Sequence, residues 1–599
     1  MNGAELIADF LVQAEVPYVV GLCGHGDIGM LDALLRREDE IPFISVQHEA
    51  AAGFIADAYF RIKRRPLATL TSCGPGSAQL LVALGAALMD SSAMIAITGN
   101  VPTSQFGRAP FQELGRHYQA DFPSAVRPFV KRSYQATRPD QLPLMLRQAY
   151  ATSISGRPGP VNLDVPLNVF AEGQRDGDVL SPAVSERGRH PITASLPRSG
   201  AAPEDLRAVV DLLLAARRPV IVVGAGAADG TSEPAEVRRL ADNLASLSSE
   251  TGIPVVSSPA GKDLAPADSL GVAGRNGTLQ ANKATRNADV ILGLGTRFDD
   301  RSSSSWLAGY TYSIPPTRLI HVHIDPAELG RNYPAEIAIA ATPGEVLSQV
   351  LDATRAARLA GDERATADGR REWLADIEGW RGEWDALTSF SKRSDARPIR
   401  AERVVAELRG ALPEDGIVLA DVGVHHNWLV QRFAPGGPGT FLQSWGYAAM
   451  GFGVAGALGA RLAAPGRPVV AVVGDGGFLM LPSVIATAVA YDLPAVWLVW
   501  NNGGFISIRD QQVAYFGKEY GTSFTHRTDF AGMARSMGAD GTRVTAPGDL
   551  GAALKAALDS GRPTVIDVLV DAETPQPAVA TWELPPQPHP EPTIGWPDP

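Results

Sequence analysis

Short runs rich in Val, Ile and Leu alternate with longer amphipathic stretches almost from end to end of this chain, and that alternation limits its fold more than any other feature. Residues 18–21, 43–46, 68–71 and 93–98 read as buried strands, each followed by a helical pattern. The pattern returns at 220–223, 255–257, 290–294 and 319–324, and again at 417–420, 469–473, 495–500 and 564–568. A strand buried on both faces reads as a continuous apolar run, and strand–helix alternation is how a parallel sheet comes to be covered on both sides. The expectation is α/β architecture with three doubly wound parallel-sheet domains at residues 1–185, 200–355 and 395–575. A polar, Pro- and Gly-bearing linker is expected at 171–202, and a charged helical stretch at 352–397 precedes the third unit. Residues 576–599 are too rich in proline for regular structure and read as a surface tail.

Composition removes several function classes. Lys and Arg total 53 against 65 Asp and Glu, giving a net charge of −12 with no basic stripe, which argues against nucleic-acid binding. Cys23 and Cys73 cannot build a disulfide framework. The longest apolar stretch, residues 80–99, is broken by Asp90-Ser91-Ser92 and reads as a short helix followed by a strand, not a membrane span. The first sixteen residues lack a basic start before an apolar core, so a secretory signal is not expected and a cytoplasmic location is.

The most informative segment is residues 469–508. An apolar strand runs into Gly474-Asp475-Gly476-Gly477, and a second one ends at Asn501-Asn502, followed by Gly504, Phe505 and Ile506. Asp475 and Asn502 thus fall just past the carboxyl ends of parallel strands, where open α/β sheets bind ligands. A carboxylate, an amide oxygen and the Gly504 carbonyl are hard oxygen donors suited to Mg2+, which also takes substrate phosphates. The glycines let backbone N–H groups approach phosphate oxygens. A Gly-rich turn alone is commonplace; its pairing with Asn-Asn across one strand–helix–strand unit is not. In the first unit, Glu49 follows a strand and opens a helix of small residues, Glu49-Ala50-Ala51-Ala52-Gly53, which permits close approach of another surface.

Together these motifs resemble the thiamine-diphosphate (ThDP) enzymes. The resemblance covers about residues 1–570 and is closest to the acetolactate synthase large subunits and their relatives. It implies Mg2+ held by Asp475, Asn502 and the Gly504 carbonyl. Glu49 is implied as the acid that protonates the aminopyrimidine of a cofactor bound by another chain, in a homodimer or homotetramer with active sites at the subunit interface. Gly24, Pro75, Gly423, Val424, His425, Ala448 and Met450 map onto further cofactor contacts. Ala109-Pro110-Phe111-Gln112-Glu113 and Lys131 match a substrate-proximal loop and its downstream lysine. In Arg297-Phe298-Asp299-Asp300-Arg301 the second arginine matches a group that recognises the carboxylate of a 2-oxo acid. The relatives' central domain holds FAD, and Gly224, Ala225, Gly226, Asn276, Gly277, Thr278, Arg297, Asp299 and Asp325 map onto its lining.

The chain also departs from that pattern. Gly24-His25-Gly26-Asp27 replaces a glycine pair and resembles ThDP hydrolases that open cyclic 1,2-diones, with His25 facing the reactive ring. Val424, Asn427 and Gln511 stand where the synthases carry other side chains, and they imply a polar, roomier pocket. The expectation is a decarboxylating carboligase in which Glu49, Gln112 and His25 handle protons, and Phe111, Lys131 and Arg301 meet the small 2-oxo acid. A C–C hydrolase or lyase and a non-catalytic subunit are the alternatives.

Overall fold

A computed structural model describes residues 1–113, 121–173, 197–389 and 391–574. Its first sheet contains β1 (Val19–Leu22), β2 (Phe43–Ser45), β3 (Leu67–Thr71), β4 (Met94–Asn100), β5 (Arg132–Gln135) and β6 (Pro160–Pro166) in the order β2-β1-β3-β4-β6-β5. The second contains β7 (Pro219–Val223), β8 (Val255–Ser257), β9 (Val290–Leu294), β10 (Arg318–His323) and β11 (Ile337–Ala340) in the order β11-β10-β9-β7-β8. The third contains β12 (Ile417–Ala420), β13 (Phe441–Gln443), β14 (Val469–Gly474), β15 (Val496–Asn501), β16 (Asp540–Val544) and β17 (Thr564–Leu569) in the order β13-β12-β14-β15-β17-β16. Every pairing between these strands is parallel. All twelve strands read from apolar runs are present within one or two residues.

The five additional strands lack that signal for physical reasons. β5, β11 and β16 are partly exposed sheet edges, with largely polar residues in β5 and β16, and β13 is three residues long. β6 is a fully buried inner strand, but it begins and ends in proline, which hides it in the sequence. The break at Asp90-Ser91-Ser92 separates a helix (Leu81–Met89) from β4 as expected. Most of the linker expected at 171–202 and the tail at 576–599 lie outside the described residues. The tryptophans of the charged stretch are structural: Trp373 and Trp384 are buried on the helix Arg371–Thr388, and Trp373 joins the packing behind the second sheet.

The surface that approaches the small-residue helix belongs to the third unit of the same chain. Helix α1 (Glu49–Lys63) lies against α2 (Phe452–Ala463). A β-carbon at Gly459 would sit 2.1 Å from the Ile55 carbonyl oxygen, and one at Gly456 would lie 3.2 Å from the Ala58 methyl. Phe54 and Phe452 meet edge to face at 6.1 Å. Glycine and alanine at these positions therefore bring two backbones together, and the first and third sheets share one continuous core. No helix among the described residues is long and apolar enough to cross a membrane.

Candidate active site

The C-terminal half of the site gathers around the ends of β12, β14 and β15. One pocket is lined by Gly423, Val424, His425, Ala448, Met450, Gly474, Asp475, Gly476, Gly477, Asn502, Gly504, Phe505 and Ile506, every cofactor contact expected in this part of the chain. Asp475 is buried. Its Oδ1 accepts from the Gly476 N–H at 2.8 Å, and its Oδ2 accepts from the N–H groups of Gly503 and Gly504 at 2.6 and 3.1 Å. Burial pushes its pKa up despite those three donors. The glycines are sterically required: a β-carbon at Gly476 would fall 2.4 Å from the Phe505 ring, and one at Gly477 2.4 Å from Asp421 Oδ2. Asp421 in turn accepts from the N–H groups of Gly451 and Gly453, fixing the loop that carries Ala448 and Met450.

His425 bears most directly on what this pocket takes. Burial pushes its pKa down to about 3, so the imidazole is neutral, and its buried Nε2 has no partner among the described residues. A buried polar atom left unpaired is costly, and a phosphate oxygen would satisfy it. Asn502 lines the same pocket. A magnesium site built from one carboxylate, one amide and one backbone carbonyl relies on the diphosphate for remaining ligands. In keeping with that, no cluster of three or more His, Cys, Asp or Glu forms a metal centre among the described residues.

Arg301 opens onto this same pocket, together with Asn427 and Gln511. His426 and Trp445 also line it, and sequence reasoning gave them no role. His426 Nε2 and Gln443 Oε1 are 2.5 Å apart, the His426 and Trp445 rings meet at 5.2 Å, and Trp445 Nε1 donates to Asp299 Oδ1 at 3.4 Å. The only sequence hint was an aromatic side chain inside an otherwise Gly- and Ala-rich loop, Ser444-Trp445-Gly446-Tyr447-Ala448-Ala449-Met450.

The N-terminal half gathers at the carboxyl ends of β1 to β4. Glu49 is buried at the start of α1, and a β-carbon at Gly76 would stand 3.2 Å from its Oε1. Pro75 and Gly76 open the short helix that faces it. Gly24 and His25 follow β1; His25 is exposed, with Nε2 3.7 Å from Cys73 Sγ and its ring 6.1 Å from that of Phe111. Phe111 itself is 79% exposed. Gln112 has φ +62°, and its carbonyl packs where a β-carbon at Gly74 would lie 1.6 Å away, so Gly74 lets this loop close over the turn. Asp27 is a residue sequence reading left without a role. It is fully buried, its Oδ1 accepts from the Gly24 N–H at 2.9 Å, and burial with help from the Glu49 charge lifts its pKa to about 6. The signal was an acid closing a Gly-His-Gly turn, where a side-chain oxygen caps the loop.

Lys131 stands apart from this group. It precedes β5, at the opposite edge of the sheet from β2, the strand that leads to Glu49. Its Nζ donates to the carbonyls of Ser155 and Arg157 at 2.7 and 2.8 Å, and burial pushes its pKa down to about 8. None of the N-terminal residues lines the Asp475 pocket of the same chain.

A third cavity lies at the carboxyl ends of the second sheet. Ala225, Gly226, Arg297 and Asp299 line it, with Arg64, Asp229 and His323. Gly224 shapes the turn, where a β-carbon would fall 2.4 Å from the Gly295 carbonyl oxygen. The other residues expected here have local partners. Thr278 Oγ1 donates to the Leu270 carbonyl at 2.6 Å, the Gly277 carbonyl accepts from Gln431 Nε2 at 2.8 Å, and Asp325 caps its own turn by accepting from Ala327 N–H at 3.0 Å. Asn276 is buried, and its Oδ1 has no partner among the described residues.

Three parallel sheets with a glycine-wrapped carboxylate at the end of the third, and a buried glutamate at the end of the first, are matched in order by three family descriptions. These are the N-terminal TPP binding domain of thiamine pyrophosphate enzymes over residues 1–120, their central domain over 206–350, and their C-terminal TPP binding domain over 421–568. The chain belongs to the thiamine pyrophosphate enzymes. It is 31% identical to the probable acetolactate synthase large subunit of Methanocaldococcus jannaschii, across 97% of this chain and 93% of that protein. Identity to the acetolactate synthase large subunit of Parasynechococcus marenigrum is 32%, across 95% and 88%. To the isozyme 3 large subunit of Escherichia coli K12 it is 30%, across 95% of each chain.

Proposed function

We propose that this enzyme is a ThDP- and Mg2+-dependent carboligase, which decarboxylates a 2-oxo acid and joins the resulting acyl carbanion to a second carbonyl. The observation that carries this reading is the single pocket in which Asp475, Asn502, His425 and Met450 meet Arg301. When bound, thiamine diphosphate supplies the carbon nucleophile and the electron sink for the pair released with CO2. Asp475, Asn502 and the Gly504 carbonyl would hold Mg2+, and His425 Nε2–H would donate to the diphosphate. Met450 and Ala448 exclude water beside it. Glu49 holds the activating proton, and Gln112 and His25 move protons at the substrate. Arg301 offers a planar fork to a carboxylate.

Glu49 and Asp475 belong to half-sites that one chain does not join, which supports a dimer in which each protomer completes the other's site. For the central cavity FAD is the occupant we favour. Asp229 Oδ2 and Arg64 Nε are buried there without partners among the described residues, and a nucleotide would supply both an acceptor and a donor. The absorption spectrum of purified protein checks this part: flavin bands support it, and their absence after flavin reconstitution removes it.

The direct test is to incubate the full chain with ThDP, Mg2+ and pyruvate and measure CO2 and acetolactate. Formation of both is expected. A protein that binds ThDP yet releases no CO2 from any 2-oxo acid would end the carboligase reading. A second reading, hydrolysis of a cyclic 1,2-dione, rests on exposed His25 above buried Asp27. Ring opening that disappears in His25→Ala would favour it, and ring opening unaffected by that change would not.

A further inference from the structure

Arg275 belongs to none of the sites above, yet its backbone is tied to that of Arg301, which lines the Asp475 pocket. Its backbone N–H donates to the Arg301 carbonyl at 3.0 Å, and a β-carbon at Gly274 would fall 2.3 Å from that same oxygen. Two arginines thus rise from backbone segments hydrogen-bonded to one another. Arg301 lines the pocket beside Gln511 of α3 (Ile506–Phe516).

Neither arginine has a carboxylate partner. Among the described residues the Arg301 side chain makes no hydrogen bond or ion pair, and that of Arg275 reaches only Ser305 Oγ, at 3.2 Å, while its Nε is buried without a partner. Asp300, whose charge reaches Arg275, is turned away: its Oδ1 accepts from Ser305 Oγ at 2.6 Å. Burial and the neighbouring Arg301 both push the Arg275 pKa down, against the opposing pull of Asp300. The loop that holds them is itself costly, because Ser304, Ser305 and Trp306 stand consecutively at φ +48°, +55° and +55°. Such strain persists where the surrounding structure enforces it, often at ligand clamps.

We propose that Arg275 and Arg301 form a paired-guanidinium subsite and that the acceptor of this enzyme is a 2-oxo diacid, one carboxylate on each arginine. The inference rests on the carboligase reading and narrows its substrate. A monocarboxylate such as pyruvate neutralises one of the two charges; a diacid neutralises both and gives the buried Arg275 Nε an acceptor. Gln511, in the pocket beside Arg301, leaves room for the longer chain.

The test pairs turnover with binding. The ThDP- and Mg2+-loaded full chain is given pyruvate as donor and either 2-oxobutyrate or 2-oxoglutarate as acceptor. In the parent, kcat/KM should favour the diacid by about tenfold or more, the worth of one charge-assisted contact. In Arg275→Gln that preference should vanish through KM rather than kcat, and Arg275→Lys should restore part of it. A parent preference for the monoacid, or an unchanged ratio in Arg275→Gln, overturns the proposal while leaving the carboligase reading intact. Calorimetric titration with 2-oxoglutarate and with 2-oxobutyrate separates the two claims. If no acceptor turns over, tighter binding of the diacid by the parent but not by Arg275→Gln sustains the subsite and sinks the carboligase reading; equal binding of both acids sinks the subsite.

Discussion

The first and third sheets are the same scaffold put to different uses. Counted within each unit, both run 2-1-3-4-6-5. In both, the first strand leads to a glycine and a histidine: Gly24-His25 after β1, and Gly423-Val424-His425 after β12. In both, the third strand leads to a glycine turn, Cys73-Gly74-Pro75-Gly76 after β3 and Gly474-Asp475-Gly476-Gly477 running on from β14. The likeness reaches the interior. Asn100 ends β4 and donates to Asp164 of β6 at 2.7 Å; Asn501 ends β15 and donates to Asp567 of β17 at 2.9 Å.

The differences decide the chemistry. His25 is exposed beside Phe111, whereas His425 is buried, neutral and lines the pocket. The third-strand turn of the first unit makes room for the Glu49 carboxylate; that of the third unit wraps a carboxylate of its own. Asp567 is paired with Arg543 at 2.7 Å, while Asp164 has only neutral donors and is pushed by burial up to about 7. On the carboligase reading we propose, one architecture would hold a proton on one side and a metal with phosphate on the other, according to which strand end carries the acid and what covers it.

The largest effect expected tests that division across two protomers. Glu49→Gln and Asp475→Ala chains should each lose activity by about a hundredfold or more. Co-expressed, they should recover about a quarter of parental activity, since half the dimers are mixed and each has one intact site. Recovery no greater than either variant alone would show that one chain builds the whole site. Arg543→Leu would strip Asp567 of its cation and make the third unit more like the first, at a cost of about 3 kcal/mol in denaturant unfolding; no change would mean the ion pair is not what distinguishes them.

Gly477→Ala, which drives a methyl into Asp421, should cost about 2 kcal/mol and weaken ThDP binding, measured by calorimetry. Parental affinity would mean the turn yields more easily than its contacts suggest. The smallest effect concerns Asp164. Its folded pKa, about 7, exceeds the ordinary carboxylate value, so its contribution is complete below about pH 4 and is lost as pH rises through 7. Asp164→Asn should flatten that part of the stability profile, and a profile as steep as the parent's would place the titration elsewhere.

Much of this was legible in the residues because the signals are local. Apolar runs such as 469–473 and 290–294 mark inner strands, since only a strand covered on both faces is apolar at every position. Asp475 and Asn502 could be placed because a motif at a strand end lies at the sheet's binding edge whatever surrounds it. β5 and β16 were not legible, because edge strands carry polar residues. Trp445 and His426 reach the pocket through a long loop, and Arg275 sits in a segment whose closeness to Arg301 no spacing reveals.

The amino-acid order alone therefore determined the three sheets, the glycine-wrapped Asp475 and the acid that opens α1, since each depends on neighbours a few positions away. Only the folded chain decided that α1 packs on α2 and that Lys131 lies at the opposite edge of the first sheet from the strand leading to Glu49. It alone buried His425 with an unpaired nitrogen and brought two arginines side by side. Those outcomes depend on burial and on contacts between distant segments, and charge and hydrogen-bond satisfaction acquire meaning only once the chain has closed around them.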